Sequence, residues 1–242
     1  KDYPKHFGDA YWVWAPQTIY DHKAKKYMIY FTLQRNDRKS LITYYAYANK
    51  DFTGFESEPK QLFSAKYGSI DNDIIEKDGT YHLFYKGNTK DENGKEIKNG
   101  IQQATSKSLK GKWKEDFKYL DAYAGKTPVE GSSIFKLNGK DEYVLMYDMY
   151  TSGRYEYQTS TDLYHFSEPK AFTKDFFPRH GSVISLTRDE LQRLQEKWGY
   201  VVRYEFESQG NPIVRHIHTA DPAALVKGDT LWLFAGRDQN GN

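Results

Sequence analysis

The chain has 242 residues, enough for one all-β domain of ordinary size with a well-filled core. Its 35 basic and 33 acidic side chains leave a net charge of +2, too weak a field to predict binding to nucleic acid or to a membrane. The chain has no cysteine and no apolar run of bilayer-spanning length, which excludes a disulfide framework, a thiol nucleophile and a transmembrane helix.

One short pattern recurs five times and sets the predicted architecture. Each copy begins with a residue that is ionisable in four of the five cases and ends on an apolar anchor. The copies are 15–19, 71–75, 130–134, 180–184 and 221–225. Their first residues lie 56, 59, 50 and 41 positions apart, a spacing typical of propeller blades and other arrays. If each copy opens the innermost strand of a blade, the first residues surround one central axis.

The segments after each copy predict the rest of a blade. A tight turn follows, such as Asp78-Gly79 or Asn138-Gly139, and then a second apolar strand. Three copies continue into a third strand and a shared polar phrase at 48–52, 105–109 and 159–163, with an aromatic residue shortly after it. We therefore expect an all-β fold, a five-bladed β-propeller of four-stranded antiparallel blades.

Two places interrupt this rhythm. Residues 187–198 predict one short helix, with Thr187 as N-cap, Glu190 completing a capping box and Gly199 as the stop. Only 21 residues follow Asp221, enough for two strands. The missing strands of that blade must come from the N-terminal stretch 10–13, from 200–210, or from polypeptide outside this sequence.

The ionisable first residues suggest hydrolysis of a sugar bond, which needs one protonated and one ionised carboxyl group. Glu130 is the candidate acid, because its small neighbours let a substrate approach, and a nearby ionised Asp71 would raise its pKa. Asp221 is the candidate base. Each acid taken alone could equally be an ordinary turn residue or strand-end cap.

Four further residues are candidates for binding. His180 is either a structural hydrogen-bonding residue, a wall of the cavity, or a ligand to a central ion through a water. Trp14 offers a stacking face for a sugar ring, although it would be equally ordinary as a core aromatic. Arg179 and Asp148 are the other two predicted substrate-binding residues.

These motifs resemble glycoside hydrolase family 43. The matching segments, in chain order, are Trp14-Ala15-Pro16-Gln17, Ser69-Ile70-Asp71, Val129-Glu130-Gly131-Ser132 and Arg179-His180-Gly181-Ser182. The resemblance implies a five-bladed propeller that cleaves arabinose- and xylose-containing plant polysaccharides with inversion. It also implies Asp71 as the residue that tunes the pKa, Glu130 as the acid, and His180 near a central calcium or water.

The order of the blades departs from the family. The segment Thr219-Ala220-Asp221-Pro222 resembles the family's first blade, yet it comes last here. Either residues 1–242 form a single propeller closed by this segment, or residues 1–199 are a propeller without its first blade and 211–242 begin a second module. On the second alternative the chain alone has no base.

The expected activity is thus an inverting glycosidase acting on arabinofuranosyl or xylosyl linkages. The alternative is a carbohydrate-binding propeller with an incomplete catalytic set. We expect no required cofactor, with a structural calcium possible at His180, and an oligosaccharide or polysaccharide as the partner. A secreted or periplasmic bacterial location is expected, and the sequence begins without a signal peptide.

Overall fold

The computed structural model describes residues 10–36, 41–87, 93–95, 100–120, 127–172, 179–199 and 219–237, with side chains for 223–234 of the last range. In these ranges the chain is mostly β-structure with one helix, as predicted. No helix among these residues is long and apolar enough to cross a membrane.

Three complete blades follow one another along the chain, each a four-stranded antiparallel sheet in sequential order. The prediction of four-stranded antiparallel blades is confirmed for all three. Blade 1 consists of β1 Ala10–Asp21, β2 Lys26–Arg35, β3 Leu41–Tyr47 and β4 Lys60–Phe63. Blade 2 consists of β5 Ser69–Lys77, β6 Thr80–Gly87, β7 Gly100–Ser106 and β8 Lys114–Glu115. Blade 3 consists of β9 Glu130–Lys136, β10 Tyr143–Met149, β11 Arg154–Ser160 and β12 Lys170–Ala171.

The innermost strand of each blade has an irregularity at the same place. The register shifts between Trp14 and Gln17 in β1, between Ile70 and Asp73 in β5, and between Glu130 and Ser133 in β9. We call this feature the axial bulge. Bulges re-aim side chains and commonly flank active sites, so these three strands direct one short segment each toward a common centre.

The register corrects the sequence alignment at one position. Glu130 pairs with Asp148 at the start of the bulge, the place that Ile70 holds opposite Lys86 in blade 2. Gly131, rather than Glu130, is therefore the equivalent of Asp71. The alignment on apolar anchors was wrong by one residue in this copy, because the anchors cannot reveal which residues a bulge leaves unpaired.

Buried polar contacts join neighbouring blades below the bulge. The carboxylate of Asp73 accepts the Ile134 N–H of blade 3 at 2.8 Å and the Tyr30 hydroxyl of blade 1 at 3.4 Å. Burial raises the pKa of Asp73 to about 7, and these hydrogen bonds oppose the rise. One carboxyl group thus connects three blades.

Apolar residues seal each blade against the preceding one. The last residue of each polar phrase, Phe52, Leu109 or Leu163, is buried, and we call these the plug residues. Leu109 of blade 2 packs in a cluster with Met28 of blade 1. Leu163 of blade 3 packs in a cluster with Phe84 of blade 2. A plug residue therefore fills the seam between its own blade and the blade before it.

The C-terminal hairpin, β13 Thr219–Lys227 and β14 Thr230–Arg237, forms a separate two-stranded sheet. Phe52 of blade 1 packs against Leu225, Trp232 and Phe234 of this hairpin, and the ring centroids of Phe52 and Trp232 are 5.7 Å apart. The Lys227 ammonium also donates to the Lys50 carbonyl at 2.6 Å. Phe52 thus contacts the hairpin in the way that Leu109 and Leu163 contact the blades before theirs.

The expectation that residues 10–13 could complete the last blade is wrong. They form the beginning of β1 and pair with β2 of blade 1. The alternative donor, residues 200–210, lies outside the described residues.

The helix α1 Arg188–Trp198 has the predicted boundaries. Thr187 and Glu190 form the capping box, and Gly199 is the C-cap. The Arg193 guanidinium approaches the Asp229 carboxylate in the turn of the hairpin at 3.2 Å, and the Lys197 ammonium donates to the Asp229 carbonyl at 3.2 Å. The helix therefore contacts the turn of the hairpin.

The contact between Phe52 and Trp232 predicts energetic coupling. Phe52→Ala should cost about 3–5 kcal/mol of unfolding free energy, because it deletes a buried aromatic ring. Trp232→Ala should cost less, because the Trp232 ring is only partly buried. In a double-mutant cycle by chemical denaturation, the pair should couple by about 0.5–3 kcal/mol. Phe52→Ala combined with Phe166→Ala, a residue of the seam between blades 2 and 3, is the control and should be additive. Additivity of Phe52→Ala and Trp232→Ala would contradict docking of the hairpin.

Candidate active site

The axial bulge holds its residues in left-handed backbone conformations. Asp71 has φ of 55°, His180 has φ of 54°, and Gly131 has φ of 64°. Non-glycine residues in this region are uncommon and carry strain that surrounding contacts must offset, and such strain is concentrated at functional sites. At Asp71 a contact between blades 2 and 3 helps to offset this strain, since Asp71 Oδ2 accepts the Gly131 N–H at 2.9 Å.

Glu130 is the most heavily contacted carboxylate at the mouth of the axis. Its Oε2 accepts from the Lys86 ammonium at 2.7 Å. Its Oε1 accepts from the Arg179 guanidinium at 2.9 Å and lies 3.1 Å from His180 Nε2. The Glu130 side chain is 13% exposed, so these charge-assisted contacts operate in a partly desolvated setting.

The expected rise in the pKa of Glu130 is wrong for this arrangement. Burial does raise the pKa, but the hydrogen bond from His180 and the charge of Lys86 outweigh it and lower the pKa to about 2. The sequence suggested a neighbouring anion, Asp71, as the dominant influence. In the structure the hydrogen bond from His180 and the charge of Lys86 dominate instead, and Glu130 is ionised near neutral pH.

Arg179 and Asp148 form the second layer of the cluster. Arg179 Nε donates to Asp148 Oδ2 at 2.7 Å, while its other end contacts Glu130. The Asp148 side chain is only 1% exposed, whereas that of Arg179 is 61% exposed. Direct substrate contact by Asp148, as predicted from sequence, does not agree with this burial: the carboxylate is covered and holds Arg179 in place.

His180 connects the two predicted acids. Its Nε2 faces Glu130, and its Nδ1 lies 4.0 Å from Asp71 Oδ1. The imidazole packs directly over Gly131, where an added Cβ would lie 2.7 Å from His180 Cδ2. The structure thus brings Asp71, Glu130 and His180 together, from three different segments of the chain.

A cavity of about 30 Å³ lies beside these residues and is lined by the bulges of β1, β5 and β9 and by 180–182. A cavity of that volume has room for a water molecule. Gln17 Nε2 donates to Ser182 Oγ at 2.8 Å, which joins β1 to the His180 segment beside it. The cavity marks the axis that the sequence repeat predicted.

The residues do not fit a metal ion bound directly by Glu130. Asp71, Glu130 and His180 each offer a ligand atom within 4.8 Å of the others. However, both Glu130 oxygens already accept from cationic side chains, and Lys86 and Arg179 would repel a divalent ion that needs several free oxygen ligands. The possible calcium near His180, reached through a water, stays a prediction.

Two predicted site residues are placed by their backbones. Trp14 lies opposite Thr32 at the start of the β1 bulge, the place that Glu130 holds in blade 3. Asp221 lies in β13, where the register shifts between Ala220 and Ala223. The side chain of Asp221, and with it the distance from Asp221 to Glu130, lies outside the described residues.

Lys86 is a site residue that sequence reasoning missed. It pairs with Ile70 at the start of the bulge, and its ammonium lies 4.9 Å from the centroid of the Tyr150 ring. The available signal was its place in the second strand, which matches that of Asp148 in blade 3. Because the chain contains many lysines, the sequence alone does not single out Lys86 as a site residue without that register.

Comparison with known proteins defines the family. Residues 6–192 match the profile of a family described as "Probable glycosyl hydrolase domain", which is related to glycoside hydrolase family 43. The chain belongs to this family. The match covers the three complete blades and the His180 segment and ends before the C-terminal hairpin. No curated protein sequence matches the chain.

Solved structures of family-43 and related enzymes resemble the chain. A thermostable family-43 glycoside hydrolase shares 18% identity over 97% of this chain and 69% of its own, with a TM-score of 0.52. The fructofuranosidase of Schwanniomyces occidentalis shares 13% identity with a TM-score of 0.56, and the match covers 70% of this chain and 36% of the enzyme. The endo-arabinase of Bacteroides thetaiotaomicron shares 17% identity, a TM-score of 0.44, and 68% and 58% coverage. The chain thus spans 58% or less of the last two proteins. At these identities the likeness to the first two, whose TM-scores exceed 0.5, is one of fold.

The depressed pKa of Glu130 predicts a specific dependence of stability on pH. The carboxyl group binds its proton less readily in the folded state, so its contribution is present above a pH of about 4.5 and is lost as the pH falls toward about 2. That contribution is on the order of 3 kcal/mol. Glu130→Gln should therefore flatten the fall of Tm between these pH values, whereas Glu168→Gln, at an exposed position, should leave it unchanged. Equal curves for the two variants would contradict the cluster.

Gly131→Ala should disturb the site as well as the fold. Gly139 has a similar positive φ of 73° but open space where a Cβ would lie, so Gly139→Ala isolates the backbone cost of about 1 kcal/mol. Gly131→Ala should cost more, because the new methyl group collides with the His180 ring. The His180 imidazole resonances in an NMR spectrum should shift in Gly131→Ala and not in Gly139→Ala. Unchanged His180 resonances in both variants would contradict the packing of the His180 ring against Gly131.

Proposed function

We propose that the protein is an inverting glycosidase that acts on arabinofuranosyl or xylosyl linkages, with Glu130 as the acid. The observation that carries this proposal is the meeting of Asp71, Glu130 and His180 at the mouth of the propeller axis. Membership in a glycosyl hydrolase family supports the reaction class. The linkage is part of the proposal and rests on the motifs in the sequence.

Each carboxyl group has a distinct proposed role. Glu130 protonates the departing glycosidic oxygen, since it is the first residue of β9 and its side chain lies at the mouth of the propeller axis. Asp71 sits deeper, held by the Gly131 N–H, and its negative charge favours the protonated form of Glu130 once the cations withdraw. Asp221 activates a water on the opposite face of the sugar ring.

The register of the hairpin supports the role of Asp221. Ala220 pairs with Gly236 and Ala223 with Phe234, so Asp221 and Pro222 are the two residues of β13 that lie in the bulge. In β5 the register shifts between Ile70 and Asp73, so Asp71 and Asn72 lie in the bulge. Asp221 therefore holds the same place in the hairpin that Asp71 holds in blade 2.

We further propose that residues 1–242 form one propeller and that the hairpin supplies the blade before blade 1. The contact of Phe52 with the hairpin matches those of Leu109 and Leu163 with their preceding blades. The alternative, that the hairpin begins a second module, offers no reason for Phe52 to be buried against it.

Acid catalysis requires a change at Glu130, because in this arrangement it is ionised. Arg179 is the mobile candidate: its side chain is 61% exposed, whereas that of Lys86 is 12% exposed. In the proposed cycle, a sugar entering the mouth separates Arg179 from Glu130. Loss of that positive charge and exclusion of water both raise the pKa of Glu130, against the hydrogen bond from His180 and the charge of Lys86, which lower it.

The proposal extends to the setting in which the protein works. Its partner is an oligosaccharide or polysaccharide. The proposed location is secreted or periplasmic, because a polysaccharide is too large to enter a cell.

A second candidate function is a carbohydrate-binding propeller without catalysis. It is favoured by the saturation of Glu130, whose two oxygens are occupied by Lys86, Arg179 and His180. If that arrangement persists with a sugar bound, the carboxylate orients the cations as hydrogen-bond donors and never gives up a proton.

Aryl arabinofuranosides and xylosides with good and poor leaving groups test the assignment. Glu130→Gln should lose about 10²–10⁴-fold in kcat on a poor leaving group and much less on an activated one, which departs without protonation. Asp221→Asn should lose activity on both, because water attack is needed in either case. Glu168→Gln is the control and should match the parent protein.

Equal losses on both leaving groups for Glu130→Gln would contradict its role as the acid. Sugar binding without any hydrolysis by the parent protein would favour the binding propeller.

A further inference from the structure

The two cations that contact Glu130 are held in different ways. The side chain of Arg179 is largely exposed, and its Nε donates to the Asp148 carboxylate. The side chain of Lys86 is covered, and its ammonium lies 2.7 Å from Glu130 Oε2. Among the residues that the structure describes, Glu130 is the one carboxylate within ion-pair distance of Lys86. The second contact of this ammonium is of another kind.

That contact is the ring of Tyr150. The Lys86 ammonium lies over the ring, 4.9 Å from its centroid. This distance is within the range of about 6 Å over which the negative face of an aromatic ring attracts a cation. The attraction is stronger than at an exposed site, because the ammonium is largely removed from water. The ammonium therefore contacts a carboxylate and an aromatic face at once.

Regular backbone structure fixes both partners of this contact. Lys86 belongs to β6, which pairs with a neighbouring strand on each side. Tyr150 directly follows β10, in a tight turn in which the Ser152 N–H donates to the Met149 carbonyl at 2.8 Å. The ring belongs to blade 3 and the ammonium to blade 2, so the contact connects two blades at the level of the charged cluster.

An aromatic ring at this place holds a cation without neutralising it. Asp148, two residues before Tyr150, is acidic and shares the positive charge of Arg179 with Glu130. The Tyr150 ring carries no net charge, so it attracts the Lys86 ammonium and leaves that positive charge directed to Glu130. The end of β10 therefore holds both cations, the exposed one through a carboxylate and the covered one through a ring.

We propose that Tyr150 is a positioning residue that holds Lys86 on Glu130 while a sugar displaces Arg179. Because Lys86 stays in place, the Glu130 carboxyl group keeps its direction toward the mouth after its contact with Arg179 is lost. The ring thus acts on the orientation of the acid and not on the binding of the sugar. The consequence for catalysis rests on the proposed function, whereas the hold of the ring on Lys86 does not.

Hydrogen exchange of the Lys86 ammonium measures this hold without catalysis. Its signal in heteronuclear NMR spectra is identified by its loss in Lys86→Met. Exchange with water should be about tenfold faster in Tyr150→Leu than in the parent protein, because the ammonium leaves the carboxylate and meets water more often. Tyr150→Phe keeps the ring face and should exchange at the parent rate.

Tyr164→Leu is the matched control for this experiment. It makes the same substitution in the same blade, at a ring that is 52% exposed and remote from Lys86, and should leave the exchange rate unchanged. Melting temperatures equal to that of the parent exclude misfolding as the cause. Tyr150→Met replaces Tyr150→Leu if the latter does not fold.

Kinetics test the consequence for the acid. On an aryl pentoside with a poor leaving group, Tyr150→Leu should lower kcat by about tenfold and leave KM nearly unchanged, because only the orientation of Glu130 is affected. In a double-mutant cycle, Tyr150→Leu should lower kcat little further when Lys86→Met is already present, since both changes act through one contact.

Equal exchange rates in the parent and in Tyr150→Leu would overturn the proposal, even in a protein that hydrolyses pentosides. Exchange in Tyr150→Phe as fast as in Tyr150→Leu would overturn it too, and so would additive losses of kcat in the cycle. Exchange that depends on the ring, in a protein that does not hydrolyse, would uphold the hold of Tyr150 on Lys86 and defeat the proposed glycosidase.

Discussion

The left-handed turn at the axial bulge is the constraint from which the site follows. A regular strand would direct alternate side chains into the two seams beside its blade. The bulge breaks that alternation and turns the Asp71 carboxylate toward the Gly131 N–H of the next blade. The strain at Asp71 is held by this contact and by the Ser132 hydroxyl, which donates to the Asp71 carbonyl at 2.7 Å. Blade 3 therefore positions the site residue of blade 2.

Charge balance around Glu130 is the second determinant of function. Two cations and an imidazole surround one carboxylate, and a second carboxylate, Asp148, holds Arg179 from below. Burial raises the pKa of Asp148, opposed by Arg179, so the pair is costly to separate when solvent is excluded. A glycosidase cycle must nevertheless move Arg179 off Glu130, and a binding propeller must not. The two proposed functions thus differ in whether Glu130 keeps its contacts with Lys86, Arg179 and His180 when a sugar is bound.

Much of the fold could be predicted from the sequence because a propeller repeats its local rules. The Asp78-Gly79 turn, the capping box at Thr187 and Glu190, and the polar phrases each carry a local signal, and the structure confirms the elements that they predict. The meeting of Asp71, Glu130 and His180 could also be predicted, since equivalent strands converge on one axis.

Other features depend on register and three-dimensional neighbours. The alignment on apolar anchors matches Glu130 with Asp71, whereas the strand register matches it with Ile70. The difference arises because a bulge leaves no trace in the spacing of apolar residues. The lowered pKa of Glu130 arises from His180 and from Lys86 of β6, which lie 50 and 44 residues from Glu130 in the chain. The burial of Asp148 in β10 could not be predicted from its local sequence. Local sequence describes a blade well and the contacts between blades poorly.

The stereochemistry of the first product tests the central claim most directly. Proton NMR of a freshly cleaved aryl arabinofuranoside or xyloside, recorded before the sugar mutarotates, reveals the configuration at the anomeric carbon. An axial pair of Glu130 and Asp221 with a water between them predicts a product of inverted configuration. A product of retained configuration, or the absence of any product, would contradict this account of the site.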